Sequence, residues 1–203
     1  MTAIIEYGVG NLFSLCSSLE FIGQSAVVTD DPDVIDRAER VILPGVGAFE
    51  DAARKLRDTG MGEVVRQQAA KGKPLLGICL GMQMLLERSF EYGTHEGLGL
   101  IPGDVVSMEP VVPKDFKVPH IGWNSLQIKK QSELLKYVAE GDHVYFVHSY
   151  YGTNCAEDTV ATTDYGAELT AIVQRGNVYG TQFHPEKSGD VGMRILRAFC
   201  EIK

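Results

Sequence analysis

No stretch of this chain is apolar for the roughly 20 residues that a membrane-crossing helix needs, so no membrane association is expected. The opening MTAIIEYGVG has no basic segment leading into a long apolar one, so no secretory signal is expected either. Cysteine is sparse and scattered. Cys16, Cys79, Cys155 and Cys200 form no C-x-x-C pair, which argues against a disulfide framework and for reduced thiols in a cytoplasm. Positive charge is in deficit. Lys and Arg total 19 against 27 Asp and Glu, a net charge of −8, which speaks against a nucleic-acid binder. The five histidines, His95, His120, His143, His148 and His184, include no i, i+4 pair and none close to a cysteine in sequence, so no metal site is expected. There is no G-x-x-x-x-G-K-[ST] loop. The early Gly8-Val9-Gly10 is followed by Phe13 where a dinucleotide fingerprint needs its third glycine. No cofactor is expected. Repeats and low-complexity tracts are absent, and tryptophan occurs once, at Trp123.

What remains is an ordinary globular composition, with 203 residues and 44% hydrophobic content, enough for one domain over residues 1–203. The first half alternates strand and helix patterns. Strands are predicted at Ala3–Glu6, Ser25–Thr29, Arg40–Leu43 and Pro74–Ile78. Helical spacing follows Asn11, spans 31–38, 49–57 and 61–70, and resumes over 81–88. Such alternation predicts a parallel sheet covered by helices on both faces. From about Gly103 the pattern turns to β-branched segments: Asp104–Met108, Val144–His148, Thr159–Thr163, Thr170–Gln174 and Val178–Phe183. These predict further strands, some antiparallel, added to the same sheet. Residues 132–138 suggest a helix and 191–201 a closing helix. Residues 108–124, with three prolines, read as a long ordered loop. The fold class expected is α/β: a single-domain, open, mixed and mostly parallel sheet flanked by helices.

One decapeptide stands out. In LLGICLGMQM, residues 75–84, Cys79 lies between Gly77 and Gly81, where an apolar strand gives way to a helix. A nucleophile on so tight a turn sits on a strained backbone, and side chains at the flanking positions would collide. The turn lifts the thiol above the sheet and places it at a helix start, which favours thiolate. A nucleophile needs a base. His184 ends an apolar segment, precedes Pro185 and is followed by Glu186, so a carboxylate stands within reach of its ring. Cys79, His184 and Glu186 thus form a candidate triad. A structural cysteine with glycines serving only the turn is the plainer alternative.

These segments resemble class I, triad-type glutamine amidotransferases: GICLGMQ (77–83), QFHPEKS (182–188) and PGVGAF (44–49). Within that family, YGVGNLFSL (7–15), KVPHIGWNSL (117–126) and FVHSYY (146–151) resemble the glutaminase subunits of imidazole glycerol phosphate synthase. The resemblance covers almost the whole chain. It implies a flavodoxin-like α/β fold and hydrolysis of L-glutamine to glutamate through a Cys79 thioester. An oxyanion would be held by backbone N–H groups at Leu80 and in the Val46–Gly47 loop, with the Val46–Gly47 peptide free to flip. Glutamine would be contacted by Gln83 and by the backbone near Ser149 and Tyr150. His120 and His148 would be structural.

The chain has no recognisable ammonia acceptor. The resemblance implies a (β/α)₈-barrel cyclase partner in a heterodimer, making imidazole glycerol phosphate and aminoimidazole carboxamide ribotide for histidine biosynthesis. Asn11, Trp123, Asn124 and Lys187 are the interface candidates. Two readings stay open beside it: a paralogue that feeds a different synthase, and a free-standing γ-glutamyl hydrolase.

Overall fold

The computed structural model describes residues 1–203. The chain opens with β1 (Thr2–Ile5), α1 (Leu12–Phe21), β2 (Ala26–Thr29), α2 (Pro32–Arg37), β3 (Arg40–Leu43), α3 (Phe49–Asp58), α4 (Met61–Ala70), β4 (Leu75–Ile78) and α5 (Leu80–Leu85). Local chemistry explains these elements. Asp31 caps α2, its carboxylate accepting from the Asp33 N–H at 2.9 Å, with Pro32 in the first turn. In α3 the buried residues Phe49, Ala52, Ala53 and Leu56 recur at helical spacing, with Glu50 and Asp51 in the first turn and Lys55 and Arg57 in the last.

The second half supplies β5 (Arg88–Ser89), β6 (His95–Glu96), β7 (Asp104–Ser107), β8 (His120–Ser125), β9 (Gln127–Ile128), β10 (His143–His148), β11 (Tyr150–Thr153), β12 (Thr159–Asp164), β13 (Glu168–Arg175), β14 (Val178–Thr181) and α6 (Gly189–Glu201). The main sheet runs β2-β1-β3-β4-β14-β13-β12-β9. Its pairings are parallel from β2 to β14 and antiparallel from β14 to β9. β1, β3, β4 and β14 are buried at every position, as strands covered on both faces must be. Ala3, Ile5 and Leu43 pack with α2 to α5 on one side. Ile4, Ile42 and Leu76 pack with α1 and α6 on the other.

The expected fold class is the one observed, with four corrections. Not every later strand joins the main sheet. β10 pairs only with β8, and β11, β7, β5 and β6 form a separate small sheet. β10 alternates, with Val144, Phe146 and His148 inward, so it lies as a layer on the core rather than within a strand row buried on both faces. The loop expected over 108–124 ends in strand β8. Its period was masked because the outward residues Ile121 and Trp123, 58% and 55% exposed, are the apolar ones. Residues 132–138 make only a 3-10 turn, Glu133–Leu135. α5 stops at Leu85, and Arg88 starts β5. No helix is long and apolar enough to cross a membrane.

Candidate active site

β4 ends at Ile78 and α5 begins at Leu80, leaving Cys79 alone in the turn with φ 54° and ψ −111°. A non-glycine residue in such a conformation costs on the order of 1–3 kcal/mol and needs its surroundings to hold it there. They do. The Cys79 N–H donates to the Thr181 carbonyl at 2.7 Å, and the Cys79 carbonyl accepts from the Gln83 N–H at 3.1 Å. A Cβ on Gly77 would lie 2.6 Å from the Gly81 carbonyl oxygen, and a Cβ on Gly81 would lie 1.9 Å from that of Leu43. The flanking glycines are therefore steric necessities of the turn. The first N–H groups of α5 have no intrahelical acceptor and stand beside the sulfur.

His184 lies three residues beyond β14. Its N–H donates to the Tyr145 carbonyl at 3.1 Å. Ser188 locks the segment: its hydroxyl donates to the His184 carbonyl at 2.6 Å and accepts from the Tyr145 N–H at 2.9 Å. His184 Nδ1 meets Glu186 Oε1 at 2.8 Å, both side chains being almost wholly buried, and Cys79 stands near enough to the ring to help hold its proton. Burial alone would lower the His184 pKa. The hydrogen bonds and negative charges of Cys79 and Glu186 outweigh it and raise the value to about 9.

Cys79 opens onto a cavity of about 620 Å³. Val46, Gly47, Leu80, Gln83, Ser149 and Tyr150 all line it, as do Glu91, Glu109 and Lys187. The loop that carries Val46 and Gly47 is pinned at both ends. Tyr7 OH donates to the Pro44 carbonyl at 2.7 Å, and the Phe49 N–H donates to Glu91 Oε2 at 2.7 Å. Between these pins no protein hydrogen bond engages Val46 or Gly47. Gly47 has φ +97° with open space around its missing Cβ. Gln83 is buried, not on a helix surface. Its Nε2 donates to the Tyr150 carbonyl and to Gln182 Oε1, both at 3.0 Å. A larger cavity of about 740 Å³, beside the 3-10 turn and the end of α6, holds no cysteine or histidine.

Sequence reasoning missed Glu91, Gln182 and Ser188. Gln182 and Ser188 lie inside the QFHPEKS segment, so their place was available and their partners were not. Nothing local marks Glu91; the small sheet carries it to the site. Of the interface candidates, Trp123 is exposed on β8 with its ring edge-on to Tyr145. Lys187 is exposed at the cavity rim. Asn11 precedes α1 without a side-chain capping bond. The Asn124 amide donates internally to the Asp164 carbonyl at 2.8 Å.

His120 and His148 form a buried pair, with Nδ1 of the first 3.2 Å from Nε2 of the second. His148 Nδ1 lies 2.9 Å from the Tyr150 carbonyl, which can only accept. His148 therefore carries its proton on Nδ1 and accepts from His120 through Nε2. Burial lowers both to about 4. Between pH 6.5 and 4 the unfolded chain binds more protons at these rings than the native one. Stability should fall across that window, by on the order of 3 kcal/mol for each imidazole. His184 acts oppositely: its contribution is present below pH 6.5 and is lost as pH rises through about 9. Urea melts from pH 4 to 10 are expected to show a maximum between these limits. His120→Phe, which keeps the stack on Phe146 and Tyr165, should flatten the acid limb. An acid limb of unchanged slope in that variant would assign the loss elsewhere.

The family model described as Glutamine amidotransferase class-I matches residues 3–202. Among curated proteins, the chain is 51% identical over 203 residues to "Imidazole glycerol phosphate synthase subunit HisH" of Caldanaerobacter subterraneus subsp. tengcongensis, covering 100% of this chain and 98% of the relative. It is 50% identical over 206 residues to the protein of the same name from Geobacillus sp., covering 100% and 97%. Among solved structures, a glutamine amidotransferase superposes with TM-score 0.75 at 19% identity, covering 98% of this chain and 97% of that one. A structure titled PurLQS from Thermotoga maritima gives 0.73 at 22% identity, covering 98% and 96%.

Proposed function

Because the chain belongs to the class-I glutamine amidotransferases, we propose that it is the glutaminase subunit of an imidazole glycerol phosphate synthase in histidine biosynthesis. The observation that carries the chemistry is one geometry: a cysteine on a strained turn, open to a cavity and coupled to a histidine that a buried carboxylate orients.

The Cys79 thiolate, paired with the His184 imidazolium, attacks the side-chain carbonyl of L-glutamine. The tetrahedral oxyanion is held by backbone N–H groups at Leu80 and in the Val46–Gly47 loop. His184 gives its proton to the departing nitrogen, ammonia leaves, and a γ-glutamyl thioester remains on Cys79. His184 then takes a proton from water, which attacks the thioester and releases glutamate. Both Gln83 Nε2 hydrogens are used inside the protein, so the face it offers substrate is its oxygen. That oxygen and Glu91 suit the α-ammonium, and the backbone at Ser149 and Tyr150 suits the α-carboxylate. The Val46–Gly47 peptide, pinned at both flanks and free between them, is the element that turns when the partner is loaded.

The partner is a (β/α)₈-barrel cyclase that receives the ammonia and forms a heterodimer with this chain in the cytoplasm. Exposed Ile121 and Trp123 give β8 an apolar anchor for it, and Asn11, Asn124 and Lys187 are the polar candidates for the same interface. The test is glutamate release from glutamine by the chain alone, with the cyclase, and with the cyclase plus its nucleotide. Release is expected to rise sharply with the loaded cyclase and to vanish in Cys79→Ala. Cys79-dependent release indifferent to the cyclase would point to another acceptor enzyme or a free-standing hydrolase.

A further inference from the structure

We propose that Gln182 is a second hydrogen-bond donor to the Cys79 sulfur, held in its donating orientation by a one-way chain of amides that starts at the Tyr150 carbonyl. The inference rests on the reading of Cys79 as the nucleophile. Gln182 is fully buried, and its Nε2 lies 3.8 Å from Cys79 Sγ. Its Oε1 lies 3.0 Å from Gln83 Nε2, which in turn lies 3.0 Å from the Tyr150 carbonyl oxygen.

The direction of this chain follows from its last member. A backbone carbonyl can only accept, so Gln83 must turn its NH₂ toward Tyr150. The second hydrogen of that NH₂ meets Gln182, which must present its oxygen. Gln182 then has only its own NH₂ to offer the sulfur. Flipping either amide would set oxygen against oxygen or nitrogen against nitrogen. The Tyr150 carbonyl is itself held, because it also takes the His148 Nδ1 proton. Gln182 and His184 stand two residues apart in the bend that joins β14 to the 3-10 turn at Pro185–Lys187, and the chain there brings both side chains to Cys79. That segment is fastened to the turn by the Cys79 N–H on the Thr181 carbonyl. The sulfur is thus approached by two donors from one short stretch of backbone.

The two donors differ in what they do during turnover. His184 surrenders its proton to the leaving nitrogen and cannot stabilise the sulfur while neutral. The Gln182 amide does not titrate, so it stabilises the thiolate both when it attacks and when it is expelled from the second tetrahedral intermediate. An N–H donor counts for more against an anionic acceptor than a neutral one, so it favours thiolate over thiol.

The measurement is the pH dependence of Cys79 alkylation by iodoacetamide in the full chain, read at the Cys79 peptide by mass spectrometry. The titratable groups that couple to the sulfur are His184 and Tyr7. Glu91, Tyr92, Glu109, His148 and Lys187 face it across the cavity. All are unchanged in Gln182→Glu and Gln182→Met. The carboxylate can still accept from Gln83 but turns its second oxygen on the sulfur, so the alkylation midpoint should rise by about one pH unit or more. The uncharged Gln182→Met, which only loses the donor, should raise it less and decides the matter if the Glu variant does not fold. A purely structural Gln182 would lower the melting temperature and leave the midpoint in place. Folded variants with a wild-type midpoint would overturn the proposal. Wild-type Cys79 that reacts only at alkaline pH, with glutamate release surviving Cys79→Ala, would instead overturn the nucleophile reading beneath it.

Discussion

His184→Asn is expected to lower kcat for glutamate release by about 10³–10⁴-fold with little change in KM, and to lower the melting temperature at neutral pH because it leaves the buried Glu186 carboxylate without its imidazolium. His184 is the imidazole whose protonation is coupled to the sulfur. It takes part in both halves of the cycle, as acid toward ammonia and as base toward water. Glu186→Gln should come close to the same loss, and the reason lies in the unused side of the carboxylate. Glu186 Oε1 accepts from His184, whereas Oε2 is buried and has no hydrogen-bond partner. An amide can be placed there in two ways. With its oxygen on Nδ1, its NH₂ is stranded in the orphan position, at a cost of about 1–3 kcal/mol. With its NH₂ on Nδ1, the ring is driven to the other tautomer and its remaining proton faces the sulfur with no base left. Either way the negative charge that helps raise the His184 pKa to about 9 is gone. The rate profile should then show a histidine titrating well below that value. Steady-state kinetics of both variants with the loaded cyclase, against pH, check this. A Glu186→Gln enzyme with wild-type kcat and pH profile would remove Glu186 from the triad.

How much of this could be read from the sequence depended on whether a residue's partners were local. The turn at Cys79 was legible because the constraint is local: Gly77 and Gly81 collide with backbone within a few residues or one strand away. The parallel half of the sheet was legible because its strands are short, mostly apolar runs, with Thr2 and Arg40 at two of their starts, and they alternate with segments of helical spacing. Strand β8 was not, since its outward positions Ile121 and Trp123 are apolar and its inward His120 is polar. Both outward side chains are exposed, the pattern that the proposed partner would cover. The small sheet was not legible either, because β5 and β6 are two residues each and exist through their ladder with β7. Glu91 arrives at the site on that sheet, and the Gln83–Gln182 contact spans 99 positions of sequence. Motifs marked where the nucleophile and base stand, while the groups that orient them came only with the coordinates.

Gly81→Ala is expected to damage both the fold and the chemistry at the Cys79 turn severely. The new Cβ would lie 1.9 Å from the Leu43 carbonyl oxygen and 2.9 Å from its carbon, so backbone must move by more than an ångström. Neither side can yield cheaply. β3 is held between β1 and β4 by parallel ladders and is buried at all four positions. α5 is buried at all six of its positions. Overpacking of this kind costs typically 1–3 kcal/mol when side chains can adjust; a collision of backbone with backbone should exceed that, at about 4 kcal/mol or more. The damage is also directed. β3 runs on into Pro44–Gly47 and α5 carries the first N–H groups after Cys79. Parting them separates the two halves of the proposed oxyanion site, and glutamate release should be lost even where the chain still folds. Gly47→Ala is the contrasting case. Its Cβ would meet nothing within 4 Å, and the variant bears only the strain of φ +97°, about 1–2 kcal/mol. It should melt near wild type yet respond poorly to the loaded cyclase, because the freedom of the Val46–Gly47 peptide is what it removes. Urea melts and glutamate assays on the pair separate the two roles of glycine. Equal stability losses in both variants would mean that steric contact at the Cys79 turn is not what sets them apart.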